Sequence, residues 1–156
     1  MTWLGVDLGD ARVGLALSDP ELTFAHPAGN LDARGDSFRA LDAAIEVIEG
    51  HADEDNPISH VVIGLPLQLN GSEGKSAKKA RRWAANLAKR LTALSADGTS
   101  SIHDIPSIAL LDERLTTVSA HRQLREAQVA GKRHRPVVDQ QSAVVILQSA
   151  LDARTN

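Results

Sequence analysis

The sequence predicts an α/β protein: a mixed five-stranded sheet, an antiparallel meander followed by parallel strands, with helices on both faces. Three observations predict it. Two short apolar runs near the N-terminus are separated by a tight turn, as in a hairpin. The run HVVIGL, residues 60–65, is continuous, apolar and rich in β-branched residues, as in a strand buried on both faces. Between and after the later strands, apolar residues recur at helical spacing. At 156 residues the chain is long enough for one domain with a sizeable core, and a single domain over residues 1–156 is expected.

Residues 2–8 read as the first strand. Gly9-Asp10-Ala11 is a turn, and residues 12–18 set Val13, Leu15 and Leu17 against Gly14, Ala16 and Ser18. A third strand is expected over residues 25–31. Gly35-Asp36-Ser37 offers a helix cap, followed by Phe38, Leu41, Ile45 and Ile48 on one helical face, with Gly50 as the expected stop. Residues 60–65 form the central parallel strand, ended by Pro66. Ser72 is the expected cap of a long helix running to about residue 95. Residues 108–111 form another buried strand. Thr116 or Thr117 is expected to cap a helix reaching about residue 129. A basic loop, AGKRHR, follows over residues 130–135, and the last helix is expected over residues 138–153.

Composition excludes several classes. The chain has no Cys, which removes disulfide and thiolate chemistry. No apolar run approaches the roughly 20 residues of a membrane span, and the N-terminus lacks the basic and apolar regions of a signal peptide. A cytoplasmic protein with no membrane partner is expected. The net charge of −3 hides an asymmetry: residues 1–56 carry 12 acids and 3 bases, and residues 57–156 carry 8 acids and 14 bases. That distribution suggests one acidic and one basic face, although a merely solvated surface has the same composition.

Three carboxylates stand inside or at the ends of apolar elements. Asp7 sits within the first strand, where an unpaired buried charge costs several kcal/mol or more. Glu113 follows the apolar strand Ile-Ala-Leu-Leu at its carboxyl end, where sites form in open α/β sheets. Asp139 opens the last helix, and helical spacing from it reaches Ala143, Ile146, Leu147 and Ala150 on the apolar face. Converging carboxylates repel one another and require cations; hard oxygen donors select Mg²⁺ or Mn²⁺. Two such ions about 4 Å apart clamp both reacting oxygens of a phosphodiester. Each acid also has a structural explanation. Asp139 is suited to an N-cap, and Glu113 to a strand-end pair with Arg114.

The helix from Ser72 carries Ala80, Ala84, Leu87, Leu91 and Leu94 as its core stripe. Lys75, Lys78, Lys79, Arg82 and Lys89 fall on the opposite side. A second basic group holds Arg122, Arg125, Lys132, Arg133 and Arg135, and Arg114 lies beside Glu113. These residues suit a phosphate backbone, which is held by charge without regard to sequence. Trp83 borders the basic face as a base-stacking or a packing residue. In the loop GLPLQLNGSEG, Gly71 and Ser72 set backbone N–H groups at a helix start, a weak anion-site signal. The six His residues show no metal-ligand spacing.

Four segments, GVDLGDARVGLALSD, VIGLPLQLNGSEG, LLDERLTTVSAHRQL and VDQQSAVVILQSALD, resemble in order and spacing the signature segments of the YqgF family. That family is also called RuvX, and its members go by the names Holliday junction resolvase and pre-16S rRNA nuclease. The match spans about residues 1–152. The resemblance implies a ribonuclease H-like fold and a metal-dependent nuclease acting in maturation of the 5′ end of 16S rRNA. It carries Asp7, Glu113 and Asp139 over as the acidic site. The loop between the third and fourth helices differs freely across the family, so Arg133 and Arg135 carry over only as charge. The ribonuclease H-like fold often has a fourth carboxylate, for which Asp10 and Asp112 are candidates; strand alternation turns Asp112 away from Glu113.

The first reading is therefore a two-metal phosphodiesterase using Mg²⁺ or Mn²⁺, with pre-rRNA as partner, branched DNA as the alternative substrate, and ribosomal particles as a further partner. The expected assembly is a monomer or a weak homodimer. A non-catalytic RNA-binding protein on the same fold is the second reading. The third is a phosphotransferase, since Asp-x-Gly in a first hairpin also resembles the phosphate loop of actin-like ATPases. Those need a second such hairpin, and none follows here.

Overall fold

The computed structural model describes residues 1–34, 37–98, 100–116 and 135–154, except for the side chains of residue 37 and residues 135–140. The elements are β1 (Thr2–Leu8), β2 (Arg12–Ser18), β3 (Ala25–Asp32), α1 (Ser37–Ala52), β4 (Ile58–Leu65), α2 (Lys75–Asp97), β5 (Ser107–Asp112), a 3₁₀ turn (Glu113–Leu115) and α3 (Arg135–Arg154). The sheet order is β3-β2-β1-β4-β5. β1 pairs antiparallel with β2, and β2 with β3. β1–β4 and β4–β5 are parallel. The expected mixed sheet, meander first, is the observed one.

Alternation within β1 sorts its side chains between the two faces. Leu4 and Val6 join Val13, Leu15, Val61 and Ile63 in the larger core, covered by α1 and α2. The opposite face carries Ala16 and Val62, covered by Ala143, Ile146, Leu147 and Leu151 of α3. Gly5 lets α3 approach closely: a Cβ there would lie 2.7 Å from Leu147 Cβ and 2.9 Å from the Ala143 carbonyl. The direction of α3 is set by Gln148. Its amide donates to the Thr23 carbonyl at 3.0 Å and accepts from Ala25 N–H at 2.9 Å, at the end of β2 remote from the β1–β2 turn. The N-terminal half of α3 therefore lies toward the carboxyl end of β1.

Several local expectations are corrected. Gly50 does not stop α1, which continues to Ala52. Gly74, not Ser72, is the N-cap of α2. The Ser72 hydroxyl turns back to Gln68 Oε1 at 2.8 Å and Asn70 Oδ1 at 2.7 Å, closing the loop ahead of the helix. α2 ends at Gly98, whose φ of 74° is a left-handed cap that favours glycine. Trp83 is fully buried, which settles it as a packing residue. α3 begins at Arg135, so Asp139 lies in its second turn and does not open it. The helix expected from Thr116 or Thr117, with Arg122 and Arg125, and the loop carrying Lys132 and Arg133 lie outside the described residues. Among the described residues, no helix is long and apolar enough to cross a membrane.

Candidate active site

Asp7 lies near the carboxyl end of the central strand β1 and is completely buried. Alternation places it with Gly5 on the α3 face of the sheet. Its cross-strand partner in β2 is Gly14. On the other side, β1 pairs with β4 through Val6 and Ile63, so the next step of the register sets Asp7 beside Gly64. The acid is thus flanked by glycine on both neighbouring strands.

Glu113 follows β5 directly and is only 2% exposed. Its carboxylate lies over Gly64: a Cβ on that glycine would come within 3.2 Å of Glu113 Cδ, and closer still to Oε1, while meeting Ile146 Cδ1 at 2.6 Å. Because adjacent strands are about 5 Å apart, this brings the Glu113 carboxylate to within about one strand spacing of the Asp7 position. Both acids face α3. Gly64 makes this possible by leaving empty the space that any side chain would take.

Asp112 and Arg114 turn the other way. Arg114 does not serve as the strand-end partner of Glu113; its guanidinium is engaged by Asp112, with Nη2 donating to Oδ2 at 2.7 Å and Nε donating to Oδ1 at 3.1 Å. Arg114 backbone N–H also donates to Asp112 Oδ1 at 2.9 Å, capping the 3₁₀ turn. The guanidinium hydrogen bond holds the Asp112 carboxyl below its usual value of 3.8, against a smaller opposing effect of burial. The same partner raises Arg114 above its ordinary range. Asp112 is therefore committed to Arg114. Asp10, the other candidate for a fourth acid, is exposed at the β1–β2 turn, where Lys79 Nζ lies 3.8 Å from its Oδ1.

Asp139 lies in α3 one turn before Ala143 and two before Ile146, the residues that pack over Gly5 and Gly64. It is on the segment directed toward the carboxyl end of β1. Its side chain lies outside the described residues, as does that of Arg135. Among the described residues no group of three metal-ligating side chains is assembled. Asp7 and Glu113 nonetheless fit a divalent cation. Both supply hard carboxylate oxygens, both are buried, and the glycine cradle gathers them on one face.

On α2, Lys75, Lys78, Arg82 and Lys89 are exposed, and none forms an ion pair among the described residues. Lys79 is half-buried and reaches toward Asp10. Arg81 and Arg90 instead pair with Glu73 and Asp42. The expected anion cradle in the loop is absent. Gly71 N–H donates to the Gln68 carbonyl at 2.8 Å and Ser72 N–H to Asn70 Oδ1 at 3.0 Å, so both donors serve the turn itself. Sequence reading missed Gly14 and Gly64. The available signal was a glycine interrupting a β-branched run, which marks a close approach.

Compared with solved structures, the chain is similar to T. thermophilus RuvC in complex with a Holliday junction substrate. The TM-score is 0.52 at 14% identity, covering 99% of this chain and 96% of that one. Together with the sheet order and the helices on both faces, this likeness defines the class: an α/β protein of the ribonuclease H-like fold. The family model described as RuvX, Holliday junction resolvase, matches residues 1–153. A relative from Bifidobacterium longum subsp. infantis is 68% identical over 152 residues, 97% of each chain. One from Nocardioides sp. is 40% identical over 150 residues, covering 96% of this chain and 86% of that one. Both carry the name pre-16S rRNA nuclease. The chain belongs to the RuvX family, and it is a nuclease.

Proposed function

We propose that this protein is a metal-dependent endonuclease of the cytoplasm that matures the 5′ end of pre-16S rRNA during ribosome biogenesis, using one domain. The observation that carries this reading is a pair of buried acids at the carboxyl ends of the central strands: Glu113 lies over Gly64, and the β1–β4 register sets Asp7 beside the same glycine. Buried carboxylate oxygens gathered on one face are the hard donors that divalent cations select. The names of the Bifidobacterium and Nocardioides relatives support the RNA substrate.

Asp7, Glu113 and Asp139 would hold Mg²⁺ or Mn²⁺, which when bound supplies Lewis-acid polarisation of the attacked phosphate. Asp7 and Glu113 would offer their oxygens from the strand ends, and Asp139, carried on α3, would complete the set. Ile146 and Leu147 seal the apolar side and keep bulk water from the buried carboxylates. Lys75, Lys78, Lys79, Arg82 and Lys89 form a basic stripe that holds the nucleic-acid backbone by charge. By charge, Arg114, Arg122, Arg125, Lys132, Arg133 and Arg135 are further candidates for phosphate contacts.

A second reading, cleavage of branched DNA, is favoured by the family description. Contacts to phosphates serve both substrates. The separating experiment presents a defined pre-rRNA fragment and a four-way DNA junction to the same purified protein in Mg²⁺, Mn²⁺ or EDTA. Metal-dependent cleavage of the RNA in preference to the junction is expected. The reverse preference would move the function to DNA.

A further inference from the structure

The Arg114 guanidinium is held from two sides. Asp112 takes Nη2 at 2.7 Å and Nε at 3.1 Å, and also accepts the Arg114 backbone N–H. On the other side, Nη1 lies against Gly71: a Cβ on that residue would sit 3.2 Å from Nη1 and 3.8 Å from Cζ. Gly71 has a φ of 85°, a conformation that favours glycine. Its N–H and that of Ser72 are used within the loop. The loop thus presents a bare backbone surface to the guanidinium.

The bidentate fork of Asp112 uses the Nε edge and leaves the N–H groups of Nη1 outside it. The Arg114 side chain is 35% exposed, so part of it reaches solvent. Arg114 is the residue after Glu113, and the basic stripe of α2 starts at Lys75, shortly after Gly71 in the chain. Arg114 thus follows the buried Glu113 in the chain and touches the loop that leads into α2.

We propose that Asp112 and Gly71 form a socket that fixes Arg114 as a positioning residue, gripping a backbone phosphate beside the one that is cut. This rests on the nuclease reading and adds to it how the cleaved bond is selected. Lysines on α2 hold a backbone as mobile point charges and leave it free to slide. A planar guanidinium locked by a carboxylate fork binds a phosphate in one orientation. Because Asp112 already offsets the Arg114 charge, the socket contributes register more than affinity.

The test compares wild type, Asp112→Ala, Asp112→Asn, Arg114→Lys and the Asp112→Ala/Arg114→Lys double variant. Binding of an end-labelled RNA oligonucleotide is measured in EDTA, and single-turnover cleavage of the same RNA in Mn²⁺. Arg114→Lys keeps the charge but not the fork. It and Asp112→Ala are each expected to slow cleavage on the order of 10- to 100-fold and to spread the cut over neighbouring bonds. Binding should change little. The double variant should be no slower than the slower single one, because both changes break one socket. Asp112→Asn, which keeps one acceptor, should recover part of the rate, and with Arg114→Lys it carries the test if Asp112→Ala fails to fold. Wild-type rate and cut position in Asp112→Ala or Arg114→Lys, or losses that multiply in the double variant, would overturn the socket while leaving the nuclease reading intact. A wild type that binds but never cuts would instead overturn the nuclease reading. The binding arm then decides for Arg114 alone: Arg114→Ala should lower the salt slope by roughly 1, and an unchanged slope would overturn it.

Discussion

Replacing Gly64 by Ala adds one methyl group directly beneath the Glu113 carboxylate. In the present structure that methyl would lie 2.6 Å from Ile146 Cδ1, where ordinary contact starts at 3.4 Å, a shortfall of 0.8 Å. Glu113 Oε1 is closer still. Ile146 is fully buried and cannot swing into solvent. Gly64 is fixed in β4 between β1 and β5, so the backbone cannot retreat cheaply. The Glu113 carboxylate must therefore move by about 1 Å, a displacement that in a positioned site costs on the order of 100-fold in rate. Overpacking itself costs roughly 1–3 kcal/mol. Gly50→Ala is the matched control: nothing lies within 4 Å of its added methyl, and a helical Gly→Ala change stabilises by roughly 0.5–1 kcal/mol. Urea unfolding and metal-dependent cleavage should be measured on both. Gly64→Ala should remain folded yet lose nearly all cleavage, and Gly50→Ala should cleave normally with raised stability. Wild-type cleavage by Gly64→Ala would show that the Glu113 carboxylate need not lie over that glycine, and would refute the reasoning.

Replacing Lys78, Lys79 and Arg82 together by Ala should weaken nucleic-acid binding about equally for all sequences and lower the salt slope by roughly 1 per lost contact; an unchanged slope would return the stripe to a merely solvated face. Asp139→Asn should lower cleavage by orders of magnitude with little change in melting temperature in EDTA. Since Asp139 stands in the second turn of α3, loss of a cap cannot account for such a result, and near-normal cleavage would remove Asp139 from the site. Asp19 accepts hydrogen bonds from Phe24 N–H at 2.7 Å and Thr23 N–H at 2.8 Å, which hold its carboxyl below the usual 3.8. A depressed folded value gives stability that is present above the unfolded value and lost as pH falls through the folded one. The stability difference between wild type and Asp19→Asn should therefore be constant near neutrality and fade below about pH 4; a difference independent of pH in urea titrations would contradict it.

The sheet was legible because its strands differ in kind. β1 and β2 alternate around a tight turn, whereas β4 from Val61 to Leu65 is a continuous apolar run, so meander and parallel crossover are distinguishable by pattern alone. The position of Asp7 was legible for the same reason, as an acid in an apolar strand. What failed was local competition among polar groups. Ser72 was a reasonable cap, but Gln68 and Asn70 capture its hydroxyl first. Arg114 follows Glu113 in sequence, yet strand alternation turns Glu113 to α3 and leaves Asp112 as the reachable carboxylate. The cradle at Gly64 depends on a residue from another strand, a long-range contact that no local pattern encodes.

The central claim is that the buried acids of the β1 and β5 ends hold the metal that cuts nucleic acid. Its most direct test is cleavage of a pre-16S rRNA 5′ fragment by purified wild type and Asp7→Asn, each in Mn²⁺ and in EDTA, with melting temperatures measured in parallel. Neutralising one of two neighbouring acids relieves their repulsion in metal-free protein, so Asp7→Asn should melt at or above the wild-type temperature. The account predicts cleavage by wild type in Mn²⁺ alone, and none by Asp7→Asn under either condition. Cleavage by the folded variant at the wild-type rate would contradict it.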